Sequence, residues 1–158
     1  MTRTATRTVD ATAEDVEVDS KLLGPLSVMP SQIYDFAEGL YGFPEAKSLA
    51  LIPVDREGFF WLQSLEFSAL TFLMIDPFMF VDEYTVDLTS TQLAQVGAED
   101  PSNILVLSIL TLPRDPQGIA TVNLHGPIAI NVKSRRGTQT IIDSTYGVRH
   151  PIDVSQPS

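Results

Sequence analysis

"FFWLQSLEFSALTFLMIDPFMF", residues 59–80, packs six phenylalanines and a tryptophan into 22 positions of a 158-residue chain whose formal net charge is −10. A membrane-spanning helix needs about 20 nearly uncharged apolar residues in a row. Gln63, Ser64, Glu66 and Ser68 interrupt the first half of this stretch. Asp76-Pro77 breaks the second half, where proline would leave a helix hydrogen bond unmade. The stretch divides instead into two runs of ordinary strand length, Phe59 to Ser64 and Leu70 to Ile75, joined by a turn around Glu66 to Ala69. Pro77 ends the second, because it cannot donate to a central ladder. Phe59, Trp61 and Phe72 are expected in the core.

The flanking sequence keeps the same rhythm. Upstream, "LSVMPSQIYDFAEGLYGFPEAKSLALIPV" alternates short apolar runs with Pro and Gly, the pattern of short strands and turns. Gly39, Gly42 and Pro44 mark a loop, with positive φ expected at the two glycines. Downstream, "EYTVDL" sets Tyr84, Val86 and Leu88 against Glu83, Thr85 and Asp87, which reads as a half-buried strand. "STQLAQVG" has Ser and Thr caps, room for two helical turns, and Gly97 as a stop; it is the one helix expected. "NILVLSILTL", residues 103–112, is apolar on both faces and reads as a central strand. "IATVNL" and "IAINV" alternate around a tight connection at His125-Gly126-Pro127, with Asn123 and Asn131 placed to bond turn backbone. Ser134 to Gly137 leads on to "TQTIID", completing a meander.

Roughly nine short strands and one short helix imply a mainly β protein: a single antiparallel β-barrel-like domain, curled so as to protect its edges. Residues 1–18 lack a sustained apolar period and read as a disordered arm, residues 19–152 as the domain, and 153–158 as a flexible tail. With 44% hydrophobic residues and a mean hydropathy of +0.10, the chain can bury one real core.

Composition also narrows the function. Cysteine is absent, which removes disulfides, thiolate metal sites and cysteine nucleophiles. The N-terminus has no apolar signal region and carries Asp10, Glu14, Asp15, Glu17 and Asp19, so a soluble, cytoplasmic protein is expected. Between Arg56 and Arg114 lie Glu57, Glu66, Asp76, Asp82, Glu83, Asp87, Glu99 and Asp100 without a single Lys or Arg. Such a field repels phosphate backbones and favours a basic protein partner over nucleic acid. His125 and His150 sit in no triad-like or metal-spaced motif, and calcium loops, phosphate loops and nucleophile elbows are missing. No catalysis, cofactor or metal is expected. Binding remains, and aromatic residues are its usual anchors. "FMFVDEYTVDL" places Phe78, Phe80 and Tyr84 beside Asp82 and Glu83.

Several blocks together resemble the FliW family of flagellar assembly factors. "DFAEGLYGFPEAKSLALIPV", with Phe36, Gly39, Gly42 and Phe43, is similar to the family's opening motif. The stretch from Phe59 to Leu88 resembles its centre, and "ILTLP", "TVNLHGPIAIN" and "YGVRHPI" follow in the family's order. The resemblance implies a cytoplasmic, non-enzymatic, chaperone-like binder of two partners. One is flagellin awaiting export; the other is CsrA, the RNA-binding repressor of flagellin translation. Flagellin would keep the factor occupied until secretion frees it to capture CsrA. On this view Asp82, Glu83 and Asp87 place negative potential near the RNA path of bound CsrA, while Phe78, Phe80 and Tyr84 anchor a partner. The alternative from another class is a small-ligand-binding β-barrel.

Overall fold

The computed structural model describes residues 14–142 and 145–155. These form strands β1 (Val16–Val18), β2 (Leu26–Val28), β3 (Ile33–Asp35), β4 (Ser48–Pro53), β5 (Phe59–Ser64), β6 (Thr71–Ile75), β7 (Ile104–Thr111), β8 (Ala120–Val122), β9 (Ile128–Asn131), β10 (Arg136–Gln139) and β11 (His150–Ile152). Two short helices, α1 (Pro77–Phe80) and α2 (Ser90–Gln95), lie in the connection between β6 and β7.

β5 and β6, the two strands expected within residues 59–75, pair from Phe59↔Ile75 to Gln63↔Thr71. Seven strands in the order β7-β6-β5-β4-β3-β10-β9 then close a barrel, because β9 returns to pair with β7 from Ile104↔Asn131 to Leu107↔Ile128. The remaining length of that β7 edge takes β8, at Leu110↔Val122, and β11 extends the sheet beyond it. Doubly apolar β7 is therefore central, with three strand partners.

Strand alternation sorts the side chains into three clusters. Phe36, Leu49, Leu62, Met74, Leu107, Ile128 and Ile130 are fully buried in a cluster that fills the barrel. A lumen packed this way is a core, so the small-ligand alternative has no chamber there. Ile75, Phe59, Phe80, Tyr84, Leu110 and Val122 form a second cluster, between the barrel wall and the α1–β8–β11 side. The β1–β2 hairpin covers a third, around Ala50, Ile33 and Ile52.

Several expectations need correction. Residues 16–18, assigned to the arm, form β1 on β2, since Val18 and Val28 find a buried partner in Ala50; residues 1–13 and 156–158 lie outside the described set. "EYTVDL" has the expected inside–outside alternation but pairs with no described strand. β8 and β9 do not form a hairpin with each other: each takes a separate part of one β7 edge. The end is not wholly a meander, because β10 meets β3 in parallel at Arg136↔Asp35. Asp76-Pro77 starts a second helix as well as ending β6. Trp61 is only half-buried on the outer wall, where it lines a surface groove with Leu73 and exposed Leu112. Phe72 is partly buried against the barrel core and meets Phe43 edge-on.

Candidate partner-binding face

The α1 region is built by a local signal. Asp76 is the N-cap, its carboxylate accepting from Phe78 N–H at 3.0 Å, and Pro77 occupies the first helical turn, where a missing donor costs nothing. About half a helical turn separates the two phenylalanines. Phe80 is buried and meets Phe59 edge-on at 5.5 Å, whereas Phe78 is 48% exposed. The chain then turns at Asp82 and Glu83, with Glu83 held at φ 60°, a left-handed conformation uncommon for a residue with a side chain.

Tyr84 follows immediately and is buried. Its hydroxyl donates to Leu124 O at 2.7 Å, which pins the extended segment 84–88 to the end of β8 without a strand ladder. Burial pushes the Tyr84 phenol up to about 12; the polar Ser108 hydroxyl opposes the shift, and Tyr146 adds to it. Among the described residues, Ser108 Oγ is buried and has no hydrogen-bond partner. Aromatic contacts continue outward in both directions: Phe78 to Tyr84 at 5.6 Å, Tyr84 to Tyr146 at 5.1 Å, and Tyr146 to His150 at 5.6 Å.

The six residues singled out from sequence thus separate into two groups. Phe78, Asp82, Glu83 and Asp87 are exposed; Phe80 and Tyr84 are core residues that hold the segment in place. Within the acidic block, Glu66 accepts from Ser48 N–H and Asp76 caps α1. Asp100 caps a 3-10 turn, where hydrogen bonds from Ser102 hold its carboxyl below the ordinary range. Asp82, Glu83 and Asp87 have no hydrogen bond or ion pair to described residues, so their charge faces solvent. Tyr146 and His150 extend the aromatic row, and their place in it depends on a long-range contact with no local pattern in the sequence. Among the described residues, no three His, Asp or Glu side chains are grouped to hold a metal ion, and no helix is long and apolar enough to cross a membrane.

The segment from Phe78 to Asp87 thus presents one exposed ring and three exposed carboxylates without a partner among the described residues. The family model described as FliW protein matches residues 17–152. The flagellar assembly factor FliW of Treponema denticola is 36% identical over 138 residues, covering 87% of this chain and 93% of that protein. Its counterpart in Leptospira interrogans serogroup Icterohaemorrhagiae serovar Lai is 37% identical over 139 residues, with the same coverage. A crystal structure of the flagellar assembly factor FliW superposes with a TM-score of 0.79 at 32% identity, covering 86% of this chain and 96% of that one. The chain belongs to the FliW family of flagellar assembly factors.

Proposed function

We propose that this flagellar assembly factor works in the cytoplasm without catalysing a reaction, holding flagellin or the translational repressor CsrA, and that the α1 face serves this binding. Flagellin and CsrA exclude one another by overlap or by coupling; a coupling of about 1–3 kcal/mol already changes affinity roughly 5–150-fold, and it acts in both directions. Secretion of flagellin frees the factor, which captures CsrA and relieves repression of flagellin translation. The observation that carries the reading is the set Phe78, Asp82, Glu83 and Asp87: one exposed aromatic and three exposed carboxylates within ten positions, the carboxylates without ion pairs to described residues, in a chain of net charge −10. Those carboxylates weaken RNA binding by CsrA through their potential at the phosphate path, leaving the base-reading surface open.

The test is RNA binding by CsrA saturated with this protein, measured across a salt series. Inhibition weakens as salt rises, because screening shortens the reach of exposed charges from about 10 Å at 0.1 M to about 3 Å at 1 M. The combined variant Asp82→Asn, Glu83→Gly and Asp87→Asn retains the fold, glycine being at ease at the left-handed position, and loses most of the inhibition. Equal inhibition by the saturated complex at every salt concentration would overturn the electrostatic account.

A further inference from the structure

β10 gives one edge to β9, continued where Thr140 N–H donates to Pro127 O at 2.8 Å. Successive strand residues aim their backbone groups at opposite edges, so Gln139 N–H and C=O and Ile141 N–H face the other way. On that side β3 pairs at Arg136↔Asp35 alone, after which Phe36 N–H turns to Lys47 O. No described residue pairs with the Gln139 backbone groups or with Ile141 N–H on this edge; the Ile141 carbonyl accepts only a long bond of 3.4 Å from Gln92 Nε2.

This open stretch forms the floor of a groove of about 410 Å³, walled by the loop through Glu38 and Tyr41 and by Gln92 and Gln95 of α2. Tyr41 and Ile141 are 61% and 45% exposed along it. Proteins usually blunt a free edge with lysine, proline or a bulge, as β11 does with exposed Pro151. Gln139, Thr140 and Ile141 carry no such device; their edge is recessed instead, which excludes another sheet while admitting a single chain. A row of alternating backbone donors and acceptors is matched by another extended main chain. The groove is lined by one carboxylate, Glu38, by amides and hydroxyls, and by no cation, which selects a neutral or basic occupant.

We propose that the open edge of β10 and its continuation, Gln139–Ile141, takes up an extended, neutral or basic peptide segment of a partner protein by strand addition, with Tyr41 and Ile141 as apolar anchors. The site uses β10, α2 and the 38–44 loop, none of which belongs to the α1 face, so it stands independently of the flagellin and CsrA reading.

Panning a phage-displayed library of random dodecapeptides on the full chain, followed by amide exchange with the synthesised winners, tests this. Enriched peptides are neutral or basic, and at saturation they slow exchange of the Gln139 and Ile141 amides by about tenfold or more. Gln95→Trp, which plugs the groove from an exposed position, and Tyr41→Ala each weaken binding by about tenfold with an unchanged thermal midpoint. Ile141→Pro removes the edge donor and does the same where it folds. Absence of enrichment over an unrelated control protein, or protection confined to other amides, overturns the proposal. Self-association that Ile141→Pro abolishes also overturns it, assigning the edge to a second copy of the chain.

Discussion

A phenol that is 4% exposed, with its hydroxyl committed to the Leu124 carbonyl, has no solvent in which to place a negative charge. The folded chain therefore holds the Tyr84 proton to about pH 12, against an ordinary value of 10.0. Between these two values the native state binds more protons than the unfolded state. Stability is thus complete below pH 10 and falls as pH rises toward 12, by about 2–3 kcal/mol in all at roughly 1.4 kcal/mol per unit. Urea midpoints measured from pH 7 to 12 should show this decline in the parent chain. Tyr84→Phe should lack that part of the alkaline slope and lose about 1–3 kcal/mol at pH 7, because Leu124 O is left buried without its donor. Equal alkaline slopes in both proteins would rule out Tyr84 as the titrating group. The inward direction of Tyr84 was legible in the alternation of "EYTVDL". Its job was not, since the carbonyl that engages it lies 40 residues away in sequence.

α1 shows how one turn of helix changes the meaning of a sequence pattern. Along a strand, Phe78 and Phe80 would share a face. In a helix each residue rotates the chain by about 100°, so two residues apart means nearly opposite sides, and one ring enters the core while the other faces solvent. Phe80→Ala should cost about 3–5 kcal/mol of stability, the usual loss for a buried aromatic. Phe78→Ala should cost less than about 1 kcal/mol in stability while weakening a partner by at least that amount. Denaturant titration and partner binding on the same two variants separate the roles; similar destabilisation by both would return Phe78 to the core. Elements with a self-contained local signal were legible: the β5–β6 pair, apolar β7, and α2, although its N-cap is Thr89, in a reciprocal capping box with Gln92, and not Ser90 or Thr91; Gly97 stops it at φ 71°. The turn bonds of Asn123 to Gly126 N–H and of Asn131 to Lys133 N–H also follow from local chemistry. α1 was missed because Asp76-Pro77 is both a strand stop and a helix start. "EYTVDL" was misread because alternation reports burial, and burial against a wall needs no ladder partner.

Barrel closure is a property of the whole chain. The β content and a curled sheet follow from strand-length runs and turn residues, yet no local pattern says that β8 and β9 divide one edge of β7 or that β10 meets β3 in parallel. Those choices are made by which faces fill the lumen, and at Gly137 the filling leaves no room for a side chain. On β10 it stands opposite Ile130, and a Cβ built there would lie 2.3–2.8 Å from three atoms of the Phe36 ring. Phe36 is 0% exposed among Leu49, Leu62 and Ile130, so the ring has no open space to move into. Gly137→Ala must push either the ring or the strand, and the strand is held to β3 by a single pair. The expected result is a loss of about 1–3 kcal/mol or more from overpacking, seen as a lower urea midpoint in one cooperative transition. Phe36→Leu alone also destabilises, by leaving part of the lumen empty. In combination the two changes should cost less than the sum of their separate effects, because each supplies the volume change the other lacks. Strict additivity in that cycle would show that Gly137 is required for its backbone alone, and that the seam between β3 and β10 closes without help from the ring beneath it.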